Sequence, residues 1–162
     1  MLKVLRVGEP QPTIRANCPQ RAVKYWKRVI VPQQWFDENK EHFVVLLLNT
    51  RYDIQGYSLV SIGSVNETIS APREIFRAAV ASGAYAIITV HNHPSGCPDP
   101  SSGDRAVFAK INDAGGLLSI KALDHVIVGA KRTYYAFQEE QAAIDETKAK
   151  RRRKLRAARR GR

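Results

Sequence analysis

Cysteine is scarce in this chain of 162 residues, and long apolar runs are absent. Cys18 and Cys97 are the only cysteines, which excludes a disulfide framework and favours a reducing cytoplasm. No stretch reaches the roughly 18 apolar residues of a membrane-spanning helix, and the first residues lack the apolar core of a secretory signal. The sequence therefore predicts a cytoplasmic protein without membrane contact.

Acidic residues are missing from the end of the chain. Residues 148–162, KAKRRRKLRAARRGR, contain ten Lys or Arg and no Asp or Glu, so the net charge of +11 falls to about +1 for the rest. Aromatic rings, on which nucleic-acid bases could stack, are absent from residues 138–162. We expect non-specific binding of nucleic acid by the cations from Lys148 to Arg162. A solvated tail with no dedicated partner is the alternative.

The apolar pattern of the remaining chain predicts alternating strands and helices. The clearest strand is HFVVLLL at 42–48, an uninterrupted apolar run that is typical of a strand buried on both faces. Further strands are predicted at 3–7, 57–64, 85–90, 118–129 and 133–137, and helices at 19–30, 72–83, 102–114 and from Gln138 onward. The pair Gly115-Gly116 is expected to end the third helix.

These elements together predict an α/β fold, in which helices flank a mixed β-sheet. We expect an N-terminal extension at residues 1–14 and one domain at residues 15–137. Residues 138–162 are expected to form a separate tail, either helical or disordered, because nearly all of them favour helix while few are apolar.

A group of polar residues with metal-binding character follows the predicted strand at 85–90. In HNHPSGCPDPSSGD, residues 91–104, His91 and His93 are two positions apart and project from the same face of an extended chain. If Ser101 caps the next helix, Asp104 lies in its first turn and can face the histidines. Three protein ligands with a fourth position open are typical of a catalytic zinc site, where zinc lowers the pKa of bound water to about 7.

Other interpretations of this stretch stay open. Ser101 and Asp104 could simply cap a helix, since S-x-x-D is a common helix start. Cys97 could replace a ligand, because thiolates bind zinc well. Two lookalikes are excluded: the residues of an HNH nuclease are spread along a hairpin and helix, and a zinc base deaminase needs H-x-E with a later C-x-x-C, whereas position 93 is His.

Hydrolysis at such a site would also need a general base, and carboxylates are the usual choice. Three are candidates. Glu41 precedes the buried strand at 42–48, Glu67 lies in a predicted loop, and Glu74 lies in the first turn of a predicted helix. Each has an ordinary alternative role, as a solvated carboxylate or as a helix-dipole partner.

Two sets of residues resemble known protein families. His91-x-His93-Pro94 followed by Ser101-x-x-Asp104 resembles the JAMM motif of the MPN-plus metallopeptidase domain, and Glu41 lies where that motif has a Glu. Over residues 15–137 the chain resembles the RadC family more closely still, in the segments EHFVVLLLNT, APREIFRAAV, ITVHNHPSG and LDHVIVG.

The resemblance implies a function for each of these side chains. It implies one zinc ion on His91, His93 and Asp104, with Glu41 as general base and Ser101 stabilising the oxyanion. It implies a JAB/MPN fold, similar in topology to cytidine deaminases, and hydrolysis of a peptide or isopeptide bond in a peptide or protein substrate.

Two features depart from the family pattern or lie outside it. RadC-type proteins usually carry an N-terminal helix-hairpin-helix region, for which the sequence before residue 15 is too short, and the basic tail is an addition. The alternative function is therefore a nucleic-acid-associated accessory protein, in DNA repair or a mobile element, with a structural or vestigial metal site.

His125 is either an outer partner of a ligand or a histidine satisfied locally by Asp124 or by backbone.

Overall fold

The structure, a computed structural model, describes residues 5–6, 14–63, 71–131 and 133–160. The strands are β1 (Leu5–Arg6), β2 (His42–Leu48), β3 (Ile54–Ile62), β4 (Ala86–Asn92), β5 (Lys121–Val128) and β6 (Tyr134–Ala136). The helices are α1 (Pro19–Tyr25), α2 (Pro72–Ser82), α3 (Ser102–Leu118) and α4 (Phe137–Arg160), and α1 continues as a π-helical turn over Trp26–Ile30.

The described strands form one sheet in the order β1-β3-β2-β4-β5-β6, which confirms the expected mixed sheet flanked by helices. Of these neighbours, β4 and β5 are parallel, and the others are antiparallel. All seven residues of β2 are buried, as the apolar run predicts for a central strand. Because β2 and β4 are antiparallel, with Phe43 opposite His91, the beginning of β2 lies beside the end of β4.

Apolar side chains cover the two faces of the sheet in separate layers. On one face, Trp26 and Ile30 pack with Leu46 and Val90. On the other, the helices α2 and α3 pack against strand residues that alternate with the first set, such as Val45. Each fully buried side chain of this size contributes about 1.5–3 kcal/mol, so both layers hold β2 and β4 firmly where the polar residues emerge.

Helix boundaries agree with the prediction at α2 and differ at α3. Helix α2 ends at Gly83, which is left-handed at φ 63°, as expected of a C-terminal glycine. The predicted end of α3 at Gly115-Gly116 is wrong, since the helix continues to Leu118 and ends at the left-handed Ser119. Gly115 has a different role, because a Cβ there would lie 2.7 Å from the carbonyl oxygen of Ile120. The lack of a side chain at Gly115 lets α3 pack closely against the backbone before β5.

Helix α4 is anchored to the domain through its first turn. The carboxylate of Asp124, on β5, accepts the backbone N–H of Gln138 at 3.1 Å. Arg105 of α3 donates twice to Glu140, at 2.7 and 2.8 Å, and Tyr135 donates to the same carboxylate at 2.8 Å. The basic side chains from Lys148 to Arg153 are exposed. None of the helices in the described part of the chain has the length and apolar character needed to cross a membrane.

Candidate metal centre

The end of β4 supplies two imidazoles to one face of the sheet. His91 is almost fully buried, and its ring stacks on Phe43 with the ring centres 5.6 Å apart and the planes 13° apart. His93 follows the strand, and its side chain is 17% exposed. The two Nε2 atoms are 3.1 Å apart, so the alternation of an extended chain brings the histidines together as predicted.

The first turn of α3 supplies a carboxylate to the same point. Ser101 is the N-cap, and it forms a capping box with Asp104. This local hydrogen bonding fixes the Asp104 side chain, which reaches 3.1 Å from His91 Nε2 through Oδ1 and 3.6 Å from His93 Nε2 through Oδ2. Helix capping and a place beside the histidines, which the sequence left as alternatives, are both observed.

A second carboxylate comes from the residue before β2. Glu41 Oε1 lies 3.7 Å from His91 Nε2. One ligand atom each from Glu41, His91, His93 and Asp104 lies within 4.8 Å of all the others, so this metal-site group could hold a metal ion. The antiparallel pairing of β2 with β4 causes this meeting, because it places the start of one strand beside the end of the other.

Of the other two candidate bases, the structure describes only Glu74, which lies outside this group. Glu74 forms ion pairs with Arg73 and Arg77 at the start of α2, and it is not among the residues that converge on the histidines. Its local role is therefore the ordinary one of a helix-terminal carboxylate. Glu67 lies outside the described residues.

Hydrogen bonding fixes which nitrogen of His93 faces the group. His93 Nδ1 lies 2.9 Å from the carbonyl oxygen of Cys97. Because a carbonyl only accepts, Nδ1 carries a proton, and Nε2 faces Asp104 and His91, as a donor when the ring is protonated and as a lone pair when the ring is neutral. In contrast, among the described residues the buried Nδ1 of His91 has no hydrogen-bond partner, so the polar contacts of this ring are made by Nε2.

The charges in the group are strongly coupled. A hydrogen bond with Asp104 raises the pKa of His93 above its ordinary value, against the opposing effect of burial. Burial alone would raise the pKa of Asp104, but hydrogen bonds from His91, His93 and Ser101 outweigh it and hold that pKa well below its usual range. Asp104 is therefore an anion at neutral pH, and a cation between it and the imidazoles would be stabilised.

The donor set fits a zinc-like metal in type and in spacing. Imidazole nitrogen and carboxylate oxygen are common ligands of zinc, with bonds of about 2.0–2.2 Å. Two ligand atoms on a tetrahedral ion of that bond length are about 3.3 Å apart. His91 Nε2 lies 3.1 Å from His93 Nε2 and 3.1 Å from Asp104 Oδ1, and His93 Nε2 lies 3.6 Å from Asp104 Oδ2. These separations are close to that value.

A cavity opens beside the metal-site group. Its volume is about 420 Å³, and Glu41, His93, Ser101 and Lys110 are among the residues that line it. A molecule bound there would therefore contact Glu41, Asp104 and the imidazole of His93.

Ser101 and Cys97 act on the group through hydrogen bonds. The Ser101 hydroxyl donates to Asp104 Oδ2 at 2.6 Å and accepts the Asp104 backbone N–H at 3.1 Å. The oxyanion role implied for Ser101 stays a prediction. The Cys97 sulfur is 3.4 Å from Asp99 Oδ2 and is not part of the group, so Cys97 contributes its carbonyl and not a thiolate.

His125 is satisfied by partners other than those predicted. Its Nδ1 lies 2.8 Å from Thr89 Oγ1 and its Nε2 lies 3.3 Å from Asn112 Oδ1. Asp124 accepts the backbone N–H of His125 and does not bond its ring. Burial, with the nearby charge of His91, lowers the pKa of His125 to about 3, so the ring is neutral.

Two residues close to the site have roles that the sequence pattern did not predict. Asn92 lies between the two histidines, and its side-chain amide bonds the backbone on both sides of Glu41. His42 is fully buried and bonds the backbone of Lys40. An Asn at the end of a strand is a signal for such bonds, since an amide offers both a donor and an acceptor.

Comparison with known proteins gives a family match and relatives whose names state no activity. The family model of RadC-like JAB domains matches residues 16–142, a range that includes every residue of the metal-site group. The chain is 45% identical to a UPF0758 protein of Chlorobium chlorochromatii, 48% to one of Chlorobium phaeovibrioides and 46% to one of Caldanaerobacter subterraneus. These matches cover 62–64% of this chain and 46% of each relative, so the chain spans about half the length of the curated relatives it matches.

Proposed function

The chain belongs to the RadC-like JAB domain family, and on this basis we propose that it is a zinc-dependent hydrolase of peptide or isopeptide bonds. One observation carries the proposal. Two imidazoles and two carboxylates converge within 4.8 Å at the wall of a cavity of about 420 Å³. Of these four residues only Asp104 takes part in capping α3, so capping does not explain why both histidines and Glu41 meet there.

In this proposal His91, His93 and Asp104 hold the zinc ion. Three protein ligands are typical of catalytic sites, whereas structural zinc sites usually have four. A bound zinc ion supplies a Lewis acid, which polarises the substrate carbonyl and makes water a nucleophile at neutral pH. The Ser101 hydroxyl and the Cys97 carbonyl hold the two ligands that are not fully buried, Asp104 and His93, at their present distances.

Glu41 is the proposed general base. Its carboxylate lines the cavity and lies 3.7 Å from His91 Nε2, so it is close to the ligands while its side chain remains 19% exposed. It accepts a proton from water as the carbonyl is attacked and returns that proton to the leaving amine. Ser101 also lines the cavity, and its hydroxyl is the proposed donor to the oxyanion.

The test combines a metal assay with a substrate screen. Zinc content is measured on purified protein, and hydrolysis is measured on a panel of fluorogenic peptides and of peptides joined through a lysine ε-amine. We expect Glu41→Gln to keep zinc and to lower the rate about 10²- to 10⁴-fold, the usual contribution of a general base. Glu38→Gln, which changes an exposed carboxylate in the same loop, is the control. Hydrolysis by Glu41→Gln at the wild-type rate would contradict the base assignment.

A second candidate function rests on α4. The exposed cations from Lys148 to Arg153 lie on its helix surface, so a nucleic-acid-associated accessory protein with a structural metal is also consistent with the molecule. Zinc binding without hydrolysis of any panel member, together with nucleic-acid binding, would favour this second function. A cytoplasmic location agrees with both, because Cys18 and Cys97 are free thiols.

A further inference from the structure

The side chain of Asn92 bridges the backbone on either side of Glu41. The backbone N–H of His42 donates to Asn92 Oδ1 at 2.9 Å. Asn92 Nδ2 donates to the carbonyl oxygen of Lys40, also at 2.9 Å. Lys40 and His42 are the neighbours of Glu41 in the chain, so one amide group holds both peptide units next to that residue.

This bridge extends the sheet beyond its last backbone pair. The pairing of β2 with β4 ends at Phe43 and His91, whereas the backbone of Asn92 is still paired with Val128 of β5. The Asn92 side chain therefore replaces the next pair of backbone hydrogen bonds. Asn92 is only 7% exposed, so water does not readily substitute for its amide.

Other contacts also hold the backbone of residues 40–42 in place. His42 Nδ1 donates to the Lys40 carbonyl at 2.9 Å, and its Nε2 accepts the backbone N–H of Asp37 at 3.4 Å. The His42 ring stacks on Phe36, with ring centres 4.7 Å apart. The carbonyl of Glu41 itself accepts the N–H of Gly63 at 2.8 Å. The backbone at Glu41 is thus fixed from both neighbouring strands, and Asn92 is its link to the strand that carries the histidines.

We propose that Asn92 is a positioning residue for Glu41. The inference rests on the proposed function, in which Glu41 is the general base. Asn92 lies between His91 and His93, so a single strand end carries two ligands of the ion and the clamp for the base. Any movement of that strand end moves all three together, which keeps the Glu41 carboxylate at a constant distance from the ligands. Only an amide supplies both the donor for Lys40 and the acceptor for His42 at this length.

The test is a double-mutant cycle on hydrolysis. Asn92→Ala is made in the wild-type chain and in Glu41→Gln, and kcat and KM are measured on the fluorogenic peptide of the panel that wild type cleaves fastest. We expect kcat to fall about 10- to 100-fold in the wild-type background, with zinc content and KM nearly unchanged. In the Glu41→Gln background we expect Asn92→Ala to lower kcat by no more than about twofold, because Asn92 acts through Glu41. An equal loss in both backgrounds would overturn the proposal.

Two further variants separate positioning from general damage. Asn92→Asp keeps the acceptor for His42 and loses the donor for Lys40, so its kcat should lie between those of wild type and Asn92→Ala. Thr89→Val is the matched control: Thr89 is a fully buried polar residue of the same strand that bonds His125 and not residues 40–42. It should leave kcat unchanged while losing a buried hydrogen bond. A similar loss of kcat in Thr89→Val would assign the Asn92 effect to folding.

A readout that is independent of activity completes the test. Hydrogen exchange of the His42 amide, measured by NMR on zinc-loaded protein, should be at least about tenfold faster in Asn92→Ala and unchanged in Thr89→Val. If wild type hydrolyses no member of the panel, the proposed function fails, and the exchange rate still decides whether the clamp exists. Unchanged exchange of His42 in Asn92→Ala would overturn the clamp whatever the activity.

Discussion

His93 and Cys97 are joined by a hydrogen bond from the imidazole Nδ1 to the Cys97 carbonyl, 2.9 Å long. In the neutral ring this bond keeps the proton on Nδ1 and leaves the Nε2 lone pair of His93 directed at the metal-site group. Cys97 thus contacts His93 through its backbone carbonyl, whereas its sulfur lies beside Asp99. In this loop the imidazole of His93 is therefore part of the metal-site group, whereas the thiol of Cys97 is not.

The first prediction compares these two residues as zinc ligands. Cys97→Ser should bind zinc as wild type does, since its carbonyl is retained. His93→Ala should lose more affinity than the roughly 10- to 100-fold that follows loss of an outer partner of a metal ligand, because it removes a ligand atom. The measurement is zinc content and calorimetric titration of metal-free protein with zinc. Loss of zinc from Cys97→Ser would show that the thiolate is a ligand after all.

The second prediction concerns the capping box of α3. Ser101→Ala removes the hydroxyl that accepts the Asp104 N–H and donates to its carboxylate, so the free energy of unfolding should fall by about 1 kcal/mol. Zinc affinity should fall as well, because Asp104 loses the bond that orients it. Ser102→Ala, one position further in the same turn, is the control, and urea unfolding is the measurement. Equal stability of the two variants would contradict a capping contribution from Ser101.

The third prediction is a pH dependence of stability that arises at Asp124. Burial raises the pKa of Asp124 to about 6, although backbone N–H groups of Gln138 and His125 oppose the shift. Because the folded pKa exceeds the ordinary value of 3.8, the folded state binds the proton more tightly than the unfolded state does. The stabilisation from this group is therefore complete below about pH 4 and is lost as the pH rises through about 6.

Asp124→Asn isolates this effect, since Asn keeps an acceptor for both N–H groups and does not titrate. The free energy of unfolding of wild type, relative to Asp124→Asn, should fall by up to about 3 kcal/mol between pH 4 and pH 7. Urea unfolding at several pH values measures it, with Asp113→Asn at an exposed position of α3 as control. If the free energies of unfolding of wild type and Asp124→Asn differ by the same amount at every pH, the raised pKa of Asp124 is contradicted.

The predictable parts of the fold and of the site depend on local chemistry. The apolar run of β2 and the glycine at the end of α2 are short-range signals, and the structure has both. The alternation of a strand brings His91 beside His93, and the S-x-x-D pattern places Asp104 in the first helical turn. None of these features depends on a distant part of the chain.

The remaining features depend on which backbone groups meet across the sheet. The sequence offers Glu41, Glu67 and Glu74 as candidates and favours Glu41 through its place before a buried strand and through the resemblance to the JAMM motif. It is the antiparallel register of β2 and β4 that brings Glu41 to the histidines. Asn92 bonds groups about 50 residues away, and its place at a strand end signals such bonds without identifying the partners. Gly115 resembles a helix end in the sequence, but its reason is the close approach to Ile120, a contact that the fold creates.

The last prediction concerns nucleic-acid binding by α4. Lys148, Lys150 and Arg151 to Arg153 are exposed, and one of them, Lys150, is paired with Glu146 at 2.7 Å. Replacing all five by Gln should weaken the binding of duplex DNA, and the slope of log affinity against log salt should become shallower by about 0.9 for each phosphate that is no longer neutralised. Lys24→Gln with Arg28→Gln, at exposed positions of α1 and its π-helical turn, is the control.

Fluorescence anisotropy with two unrelated duplex sequences is the measurement, and both should bind equally, because residues 138–162 carry no aromatic ring to stack on bases. An unchanged salt slope in the five-residue variant would mean that α4 does not bind the phosphates.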